Sequence, residues 1–329
     1  MKHPAFIQFY PTLRCNQKCG FCFNGNISDP GSYRDMNKHE AFLLVDMAVK
    51  YGISEIDILG GEPLLVPWIK DFISYATDSK LAVNISTNGS LLDSVINLAE
   101  TGADSLNIGF SILGFSETHN ALTGSDNFSK AIAGIKRLVS DGREPIVKSV
   151  LMQENKDEIF DLVDYLAELG VKRYFLLHED MIGRQGYHAL SFPEYYAFYS
   201  ELKKKTDGKP DIGFVAASGF YKHGAYSKFR CDAGITKIAV MPDGSVFPCN
   251  LLAGSQNFFL GNIFRDGIEK IWRNPVLDYF RNHRVENQCI NKKCLHFTNC
   301  TGGCPAHGYY FYGTMDAVDP RCKAMSKVS

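Results

Sequence analysis

Three cysteines lie close together near the start of the chain, at Cys15, Cys19 and Cys22, with the spacing C-x3-C-x2-C. A structural zinc site takes four protein ligands, and disulfides use cysteines in pairs. Three thiolates on one tight loop suit a four-iron cluster in which one iron has no protein ligand. The motif alone also fits a partial zinc site or a redox thiol cluster, so the rest of the sequence must distinguish these alternatives.

The other cysteines all fall in the last third of the chain. They are Cys231, Cys249, Cys289, Cys294, Cys300, Cys304 and Cys322. An extracellular disulfide framework more often spreads its pairs through the fold. Two separate metal-binding regions are therefore the better interpretation of this uneven distribution.

Residues 5–181 alternate strand-like and helix-like segments. The strand patterns are "FIQFYPT", "EIDILGG", "LAVNIST", "DSLNIGFSI", "PIVKSVLM" and "RYFLLHED". The helical patterns between them include "KDEIFDLVDYLAELG", whose apolar residues from Ile159 to Leu169 form one stripe before Gly170. Six βα units predict an α/β fold with a parallel sheet, either an open doubly wound sheet or a partial (βα)6 barrel.

Polar and glycine-rich motifs follow the strands at the points where the strands end. They are the cysteine motif, "GGEP" (60–63), "STNG" (86–89), Ser111, and the run His178, Glu179 and Asp180. In parallel α/β folds the C-terminal ends of the strands meet at one edge, where ligands bind. We therefore expect these motifs to line a single mouth.

The domain division of the chain follows from changes in its pattern, from alternating strand-like and helix-like segments to short elements rich in Gly and Cys. We predict a core at 1–190, a helical linker at 191–228 and a small Cys-rich domain at 229–329, in which "GITKIAVMPDGSVFPC" forms a hairpin. The net charge is −1, and no apolar run is long enough to span a bilayer. We expect a cytoplasmic protein with neither nucleic-acid nor membrane partners.

The first motif carries an aromatic, Phe21, just before its third cysteine, and "GGEP" follows at the next strand end. In this order the motifs resemble the radical S-adenosylmethionine (SAM) superfamily over residues 5–181. The resemblance implies a partial barrel in which Cys15, Cys19 and Cys22 hold a 4Fe–4S cluster. The amino and carboxylate groups of SAM would chelate the open iron, and reduction would release a 5′-deoxyadenosyl radical.

The resemblance also implies which residues contact SAM. Phe21 would meet the adenine through its backbone, Gly60, Gly61 and Glu62 would hold the methionine amino group, Ser111 would reach the ribose or carboxylate, and the backbone near Met181 would meet the adenine. Asn88 is a further cofactor-binding candidate, with a simple strand-ending turn as the alternative.

The run "SILGFSETHNALTG" departs from the family pattern. Leu113 stands where many relatives have an Asp, and Thr123 stands where they have an Arg that contacts the cofactor. Cofactor recognition then falls to other groups. Arg184 and Lys148 are candidates, and a surface charge is the alternative for both.

The later cysteines, placed behind such a core, resemble the SPASM domain, which binds two auxiliary 4Fe–4S clusters. By this resemblance, Cys289, Cys294, Cys300 and Cys322 hold the outer cluster. Cys231, Cys249 and Cys304 hold the inner one, which is left without a fourth cysteine. A zinc ribbon is the alternative for the central quartet.

Together the resemblances imply a radical SAM/SPASM enzyme that abstracts hydrogen and oxidatively modifies a peptide or protein by crosslinking or dehydrogenation. His178 and Glu179 are the candidate catalytic acid–base groups. A small-molecule dehydrogenase or epimerase is the alternative, and an iron–sulfur electron carrier or zinc-binding interaction protein is the non-enzymatic one. We expect a low-potential flavodoxin or ferredoxin as electron donor. Because the first motif begins at Cys15, we also expect that a peptide substrate needs a separate leader-peptide-binding protein or direct recognition by the barrel.

Overall fold

The computed structural model describes residues 3–27, 33–99, 104–182, 189–221, 229–282 and 293–322. Six strands pair in chain order, and all of them run parallel. They are β1 (Phe6–Phe9), β2 (Glu55–Ile58), β3 (Ala82–Thr87), β4 (Leu106–Ser111), β5 (Ile146–Leu151) and β6 (Arg173–His178). The predicted α/β fold with a parallel sheet is confirmed.

Helices follow the strands, and most of them bury apolar residues in the common core. They are α1 (Lys38–Lys50), α2 (Ile69–Asp78), α3 (Leu92–Ala99), α4 (Ser116–Thr123), α5 (Phe128–Ser140) and α6 (Ile159–Glu168). In α6 the residues Ile159, Leu162, Val163 and Leu166 are fully buried, at the spacing of one helix face. Gly170 follows with φ of +91°, a conformation that favours glycine.

The strands present two different faces. One face is apolar and fully buried, as Ile56 and Ile58 of β2 show. The other carries half-buried polar groups, among which the Asn84 amide donates to Asp57 Oδ1 at 2.7 Å and to Glu55 Oε1 at 2.9 Å. The second face is therefore a polar inner surface that ends at the C-terminal edge of the sheet.

The sheet extends beyond the six predicted strands on both sides. The predicted linker, 191–228, contains α7 (Phe192–Lys205) and also β7 (Asp211–Val215), which pairs in parallel with β6. On the other side β8 (Lys237–Val240) pairs in parallel with β1, and β9 (Ser245–Phe247) and β10 (Gly261–Asn262) follow in antiparallel order. The Cys-rich region thus begins inside the same sheet as the core.

The hairpin between β8 and β9 lies where the sequence predicted it. Its turn contains Gly244 with φ of +84°, and the amide of Met241 donates to the Ser245 carbonyl at 2.8 Å. The remaining α-helices of the described chain are α8 (Ile263–Trp272), α9 (Asp278–Asn282) and α10 (Pro305–Tyr312). None of the helices in the described ranges is long and apolar enough to cross a bilayer.

Candidate functional site

The first cysteine motif lies on the loop that leaves the C-terminal end of β1. Cys15 is exposed there, and Cys19 and Cys22 are half-buried. The end of α4 holds the loop from one side, because the backbone amide of Lys18 donates to the Thr123 carbonyl at 3.0 Å. The loop therefore presents three accessible thiols on an anchored backbone.

Gly60 and Gly61 bring the end of β2 against this loop. The amide of Gly61 donates to the Thr12 carbonyl at 3.0 Å, and the amide of Glu62 donates to the Arg14 carbonyl at 2.8 Å. A Cβ atom on Gly61 would lie 2.0 Å from the Arg14 carbonyl oxygen, and one on Gly60 would lie 2.5 Å from that of Thr12. Both glycines are thus explained by close backbone contact with the cysteine loop, a role that the sequence analysis did not assign.

Glu62 is buried beside the same loop, with 1% of its surface exposed. Its carboxylate accepts hydrogen bonds from the Leu64 amide (3.1 Å), the Thr87 hydroxyl (2.8 Å) and the Asn88 amide (2.8 Å). Burial raises its pKa to about 7, against the lowering effect of these three donors. Within the described ranges no cationic side chain forms an ion pair with it. A buried carboxylate of this kind suits an incoming amino group that donates hydrogen bonds.

Asn88 joins the end of β3 to the cysteine loop. Its side-chain amide donates to Asn16 Oδ1 at 2.9 Å, and its Oδ1 accepts the Ser90 amide at 2.9 Å, which forms a local turn. Its carbonyl accepts the Asn127 side chain at 2.8 Å, and Asn127 in turn contacts the buried His119 at 3.1 Å. These contacts indicate that the Asn88 side chain positions the cysteine loop. Its contact with the cofactor stays a prediction.

The other predicted SAM contacts lie at the same edge. Phe21 is half-buried between two cysteines of the motif, and Ser111 ends β4 in register with Lys148 on β5. Lys148 is not a surface charge: its Nζ donates to the Ser86 hydroxyl at 2.8 Å, and burial lowers its pKa. Arg184 lies outside the described residues.

Cys231, Cys249 and Cys304 lie near one another although they are far apart in the sequence. The pKa of each thiol is raised to about 12, mainly by burial. Negative charge on the neighbouring cysteines raises it further. Lys237 acts in the opposite sense on Cys231 and Cys249, since its ammonium favours their thiolates. These three cysteines are the set that the resemblance assigned to the inner cluster.

The outer set is only partly described. Cys300 is buried, Cys294 and Cys322 are half-buried, and Cys289 lies outside the described residues. Across the described chain, no three or more His, Cys, Asp or Glu side chains converge on a position for one metal ion. A four-iron cluster does not require such convergence, because each cysteine binds a different iron.

His178 lies among aromatic rings. Its ring stacks on Tyr195 with centroids 4.7 Å apart and lies 5.8 Å from the ring of Phe220. Its Nε2 donates to the Leu190 carbonyl at 2.8 Å, and burial lowers its pKa to about 3. A neutral, packed imidazole with one nitrogen bonded to the backbone favours a structural role, so we do not carry His178 forward as a catalytic group.

Glu179 differs from its neighbour. Both carboxylate oxygens are buried and have no hydrogen-bond partner in the described part of the chain. Burial, and next the charge of Glu154, raises its pKa to about 8. Its carboxyl group is therefore largely protonated at neutral pH and is able to exchange a proton with a bound molecule.

Several buried polar residues escaped the sequence analysis. Tyr10 follows β1, and burial raises its pKa, to which the charges of Cys249 and Cys22, from the two cysteine regions, contribute. Arg321 and Asp319 form an ion pair at 2.8 Å between the last cysteines and the end of β6. Of these residues, only Tyr10 could have been found from the sequence, because it lies between an apolar strand and a cysteine motif. The pairing of Arg321 with Asp319 depends on tertiary contacts.

The comparisons with known families agree with this geometry. The profile described as "Radical SAM superfamily" matches residues 9–166. The profile of the SPASM iron–sulfur cluster-binding domain matches residues 231–301.

Relatives are similar to the chain over nearly its whole length. The subtilosin biosynthesis protein AlbA of Bacillus subtilis is 26% identical, over 93% of this chain and 68% of that protein. The mycofactocin maturase MftC of Mycobacterium ulcerans is 25% identical, over 97% of this chain and 88% of that protein. An AdoMet-dependent heme synthase of Methanosarcina barkeri is also 25% identical, over 97% of this chain and 96% of that protein.

A solved structure supports the fold. Streptococcus suis SuiB, in its crystal structure bound to precursor peptide SuiA, superposes with a TM-score of 0.81 at 20% identity. The superposition covers 98% of this chain and 76% of that one.

The chain belongs to the radical SAM superfamily, in the branch that carries a SPASM domain. It is an enzyme whose cofactors are SAM and 4Fe–4S clusters, including the auxiliary clusters of the SPASM domain. The described residues fit SAM and the clusters. Glu62 offers a buried carboxylate with no cationic partner among these residues, and the cysteines of both cysteine regions supply thiolate ligands.

Proposed function

We propose that this chain is a maturase that oxidatively modifies a peptide or protein substrate. The observation that carries the proposal is the buried Glu62 carboxylate, which lies against the loop of Cys15, Cys19 and Cys22 and has no ion-pair partner among the described residues. When bound, SAM and the clusters supply a 5′-deoxyadenosyl radical for hydrogen abstraction and a site for the electron that the substrate loses. The peptide class is supported by the relatives named for bacteriocin biosynthesis and mycofactocin maturation.

The chain's own residues bind the first cluster and SAM in this account. Cys15, Cys19 and Cys22 hold the SAM-binding cluster, and Glu62 accepts a charge-assisted hydrogen bond from the methionine amino group. Gly60 and Gly61 bring Glu62 against the cluster loop. The backbone of Phe21 and of Met181 meets the adenine, Ser111 reaches the ribose or carboxylate, and Asn88 orients the loop.

Two further tasks concern the substrate and the auxiliary clusters. Glu179, whose carboxyl group has no hydrogen-bond partner among the described residues, exchanges a proton with the substrate or docks one of its polar groups. Cys231, Cys249 and Cys304 hold the inner cluster, and Cys289, Cys294, Cys300 and Cys322 hold the outer one. A flavodoxin or ferredoxin supplies the electrons, and the peptide is recognised either by a separate leader-peptide-binding protein or directly by the barrel.

The test is co-expression of the chain with the short open reading frames that flank its gene, followed by mass spectrometry. A crosslink or dehydrogenation removes two hydrogen atoms, so a modified peptide should be lighter by about 2 Da for each event. The matched control replaces Cys15, Cys19 and Cys22 by Ala and should leave the peptide mass unchanged. If every flanking peptide keeps its mass while the enzyme cleaves SAM, the peptide assignment fails.

A small-molecule substrate is the second candidate, because the heme synthase is similar to this chain over nearly its whole length. The same enzyme preparation distinguishes the two. Stoichiometric SAM cleavage that depends on a cell extract freed of peptides would favour the small molecule, and dependence on a flanking peptide would favour the maturase.

A further inference from the structure

The C-terminal end of β6 is held by side chains from the described segment 293–322. The guanidinium of Arg321 donates to the Glu179 carbonyl at 2.7 Å and to Asp180 Oδ1 at 3.0 Å. His307 Nε2 accepts the backbone amide of Met181 at 3.0 Å. Two side chains of the Cys-rich domain therefore hold three consecutive residues of the core.

The same two side chains are tied to the backbone of cysteines. Arg321 directly precedes Cys322, and its Nε and Nη2 donate to the two oxygens of Asp319 at 3.0 and 2.8 Å. Asp319 Oδ2 also accepts the Cys304 amide at 2.8 Å. His307 lies in the first turn of α10, the helix that begins directly after Cys304. One network thus joins the end of β6 to cysteines assigned to both auxiliary clusters.

This network is rigid because it is buried and its charges are paired. Arg321 is 2% exposed, Asp319 is 1% exposed and His307 is fully buried. A buried charge that loses its partner is costly, so these side chains have few alternative positions. A displacement of the cysteine segments would be passed to β6, since a close-packed interior does not absorb it.

The edge of β6 matters for cofactor binding. The backbone near Met181 is proposed above to meet the adenine, yet its amide is already used by His307. The adenine contact is therefore left to the Met181 carbonyl and the neighbouring backbone. Because His307 holds the Met181 amide, it sets the position of this backbone at the end of β6.

We propose that Arg321 and His307 are positioning residues that clamp the end of β6, so that filling the auxiliary cluster sites orders the edge of the SAM pocket. The inference rests on the proposed SAM contact near Met181 and is independent of the peptide substrate. By linkage, SAM binding then strengthens assembly of the auxiliary clusters by the same factor.

The first test measures amide hydrogen exchange of residues 173–182 in the anaerobic, cluster-loaded enzyme. His307→Met leaves the Met181 amide without an acceptor, whereas His307→Gln places an oxygen near the former Nε2 position. Exchange should become about fivefold faster in the Met variant and return toward the wild-type rate in the Gln variant. Equal rates in all three proteins would overturn the clamp.

A matched control comes from the same domain. Arg281 also donates to backbone carbonyls, those of Gly234 at 2.8 Å and Trp272 at 2.7 Å, and its described hydrogen bonds do not reach β6. Arg281→Met should leave exchange at 173–182 unchanged. An equal acceleration in this variant would show that general loosening of the domain, and not the clamp, controls β6, which would overturn the proposal.

The second test measures SAM affinity by the change in the EPR signal of the first cluster. Replacing Cys304 and Cys322 by Ala should weaken SAM binding about tenfold at unchanged first-cluster content, and in an Arg321→Met background the same replacements should add much less. Unchanged affinity, or fully additive losses, would overturn the proposal. A failure to find a modified peptide would leave both readouts intact, so the two proposals fail separately.

Discussion

The backbone amide of Asn88 donates a hydrogen bond to Glu62 Oε2 at 2.8 Å. This contact fixes a carboxylate from the end of β2 against the end of β3, and neutral groups supply all of its described hydrogen bonds. Glu62 is therefore oriented before any ligand arrives, which lowers the entropy cost of binding the amino group of a ligand.

The affinity for SAM should depend on pH through Glu62. Burial raises the carboxyl pKa from 4.5 to about 7, so the group is mostly protonated below that pH. An amino group that donates a hydrogen bond favours the carboxylate over the carboxylic acid, so SAM binding releases a proton below pH 7. The affinity should rise about tenfold between about pH 6 and pH 8 and then level off. Equilibrium binding to the anaerobic, cluster-loaded enzyme measures this.

Glu62→Gln is the matched variant for that profile. It keeps the size of the side chain and removes the charge-assisted partner, which is typically worth ~1.5–3 kcal/mol. SAM binding should weaken by roughly tenfold or more, the pH dependence should flatten, and the iron content should not change. A Gln variant with the wild-type profile would remove Glu62 from the SAM site.

Gly61→Ala tests the close approach between the GGEP turn and the cysteine loop. Its Cβ would lie 2.0 Å from the Arg14 carbonyl oxygen, so one of the two backbones must move. We expect a loss of about 1–3 kcal/mol in stability, the usual cost of overpacking, together with a loss of the first cluster. Gly20→Ala is the control within the same loop, because nothing lies within 4 Å of its added Cβ. If both variants keep all their iron and stability, the contact does not position the loop.

The sequence predicted the parts of the site that local motifs encode. The six parallel strands follow from periodicity in single segments and the cysteine triad from its spacing, whereas the role of Glu62 is implied by the family resemblance that the GGEP motif carries. Strand β7 was missed because "DIGFV" is short, contains glycine and follows a helix that resembled a linker. The contact of Arg321 with Glu179 spans more than a hundred residues, and no local pattern reports such a contact.

Lys237 should tune the inner auxiliary cluster. Its ammonium lies near Cys231 and Cys249 and pairs with Asp232 at 3.3 Å. A nearby positive charge stabilises the reduced, more negative cluster, so Lys237→Met should lower its reduction potential by on the order of 50 mV. An EPR redox titration measures the shift. Lys172→Met, which removes an exposed ion pair with Glu144, is the control. Equal potentials in the wild type and the Lys237 variant would contradict this assignment.

Substitutions at His178 and Glu179 should have different effects. His178→Phe keeps an aromatic ring against Tyr195 and loses the bond to the Leu190 carbonyl, so we expect a loss of about 1 kcal/mol in stability with turnover retained. Glu179→Gln cannot exchange a proton and should slow substrate modification while SAM binding is unchanged. The comparison of thermal unfolding with product formation separates them. Loss of turnover in a well-folded His178→Phe variant would restore the sequence-based assignment of that residue.

The most direct test of the account is the amount of 5′-deoxyadenosine that forms when the anaerobic protein is given dithionite and SAM. The wild-type enzyme should release it, with about twelve irons bound as three four-iron clusters. The variant with Cys15, Cys19 and Cys22 replaced by Ala should keep about eight irons in the auxiliary clusters and release none. No 5′-deoxyadenosine from fully loaded wild-type protein, or equal amounts from both proteins, would contradict the account.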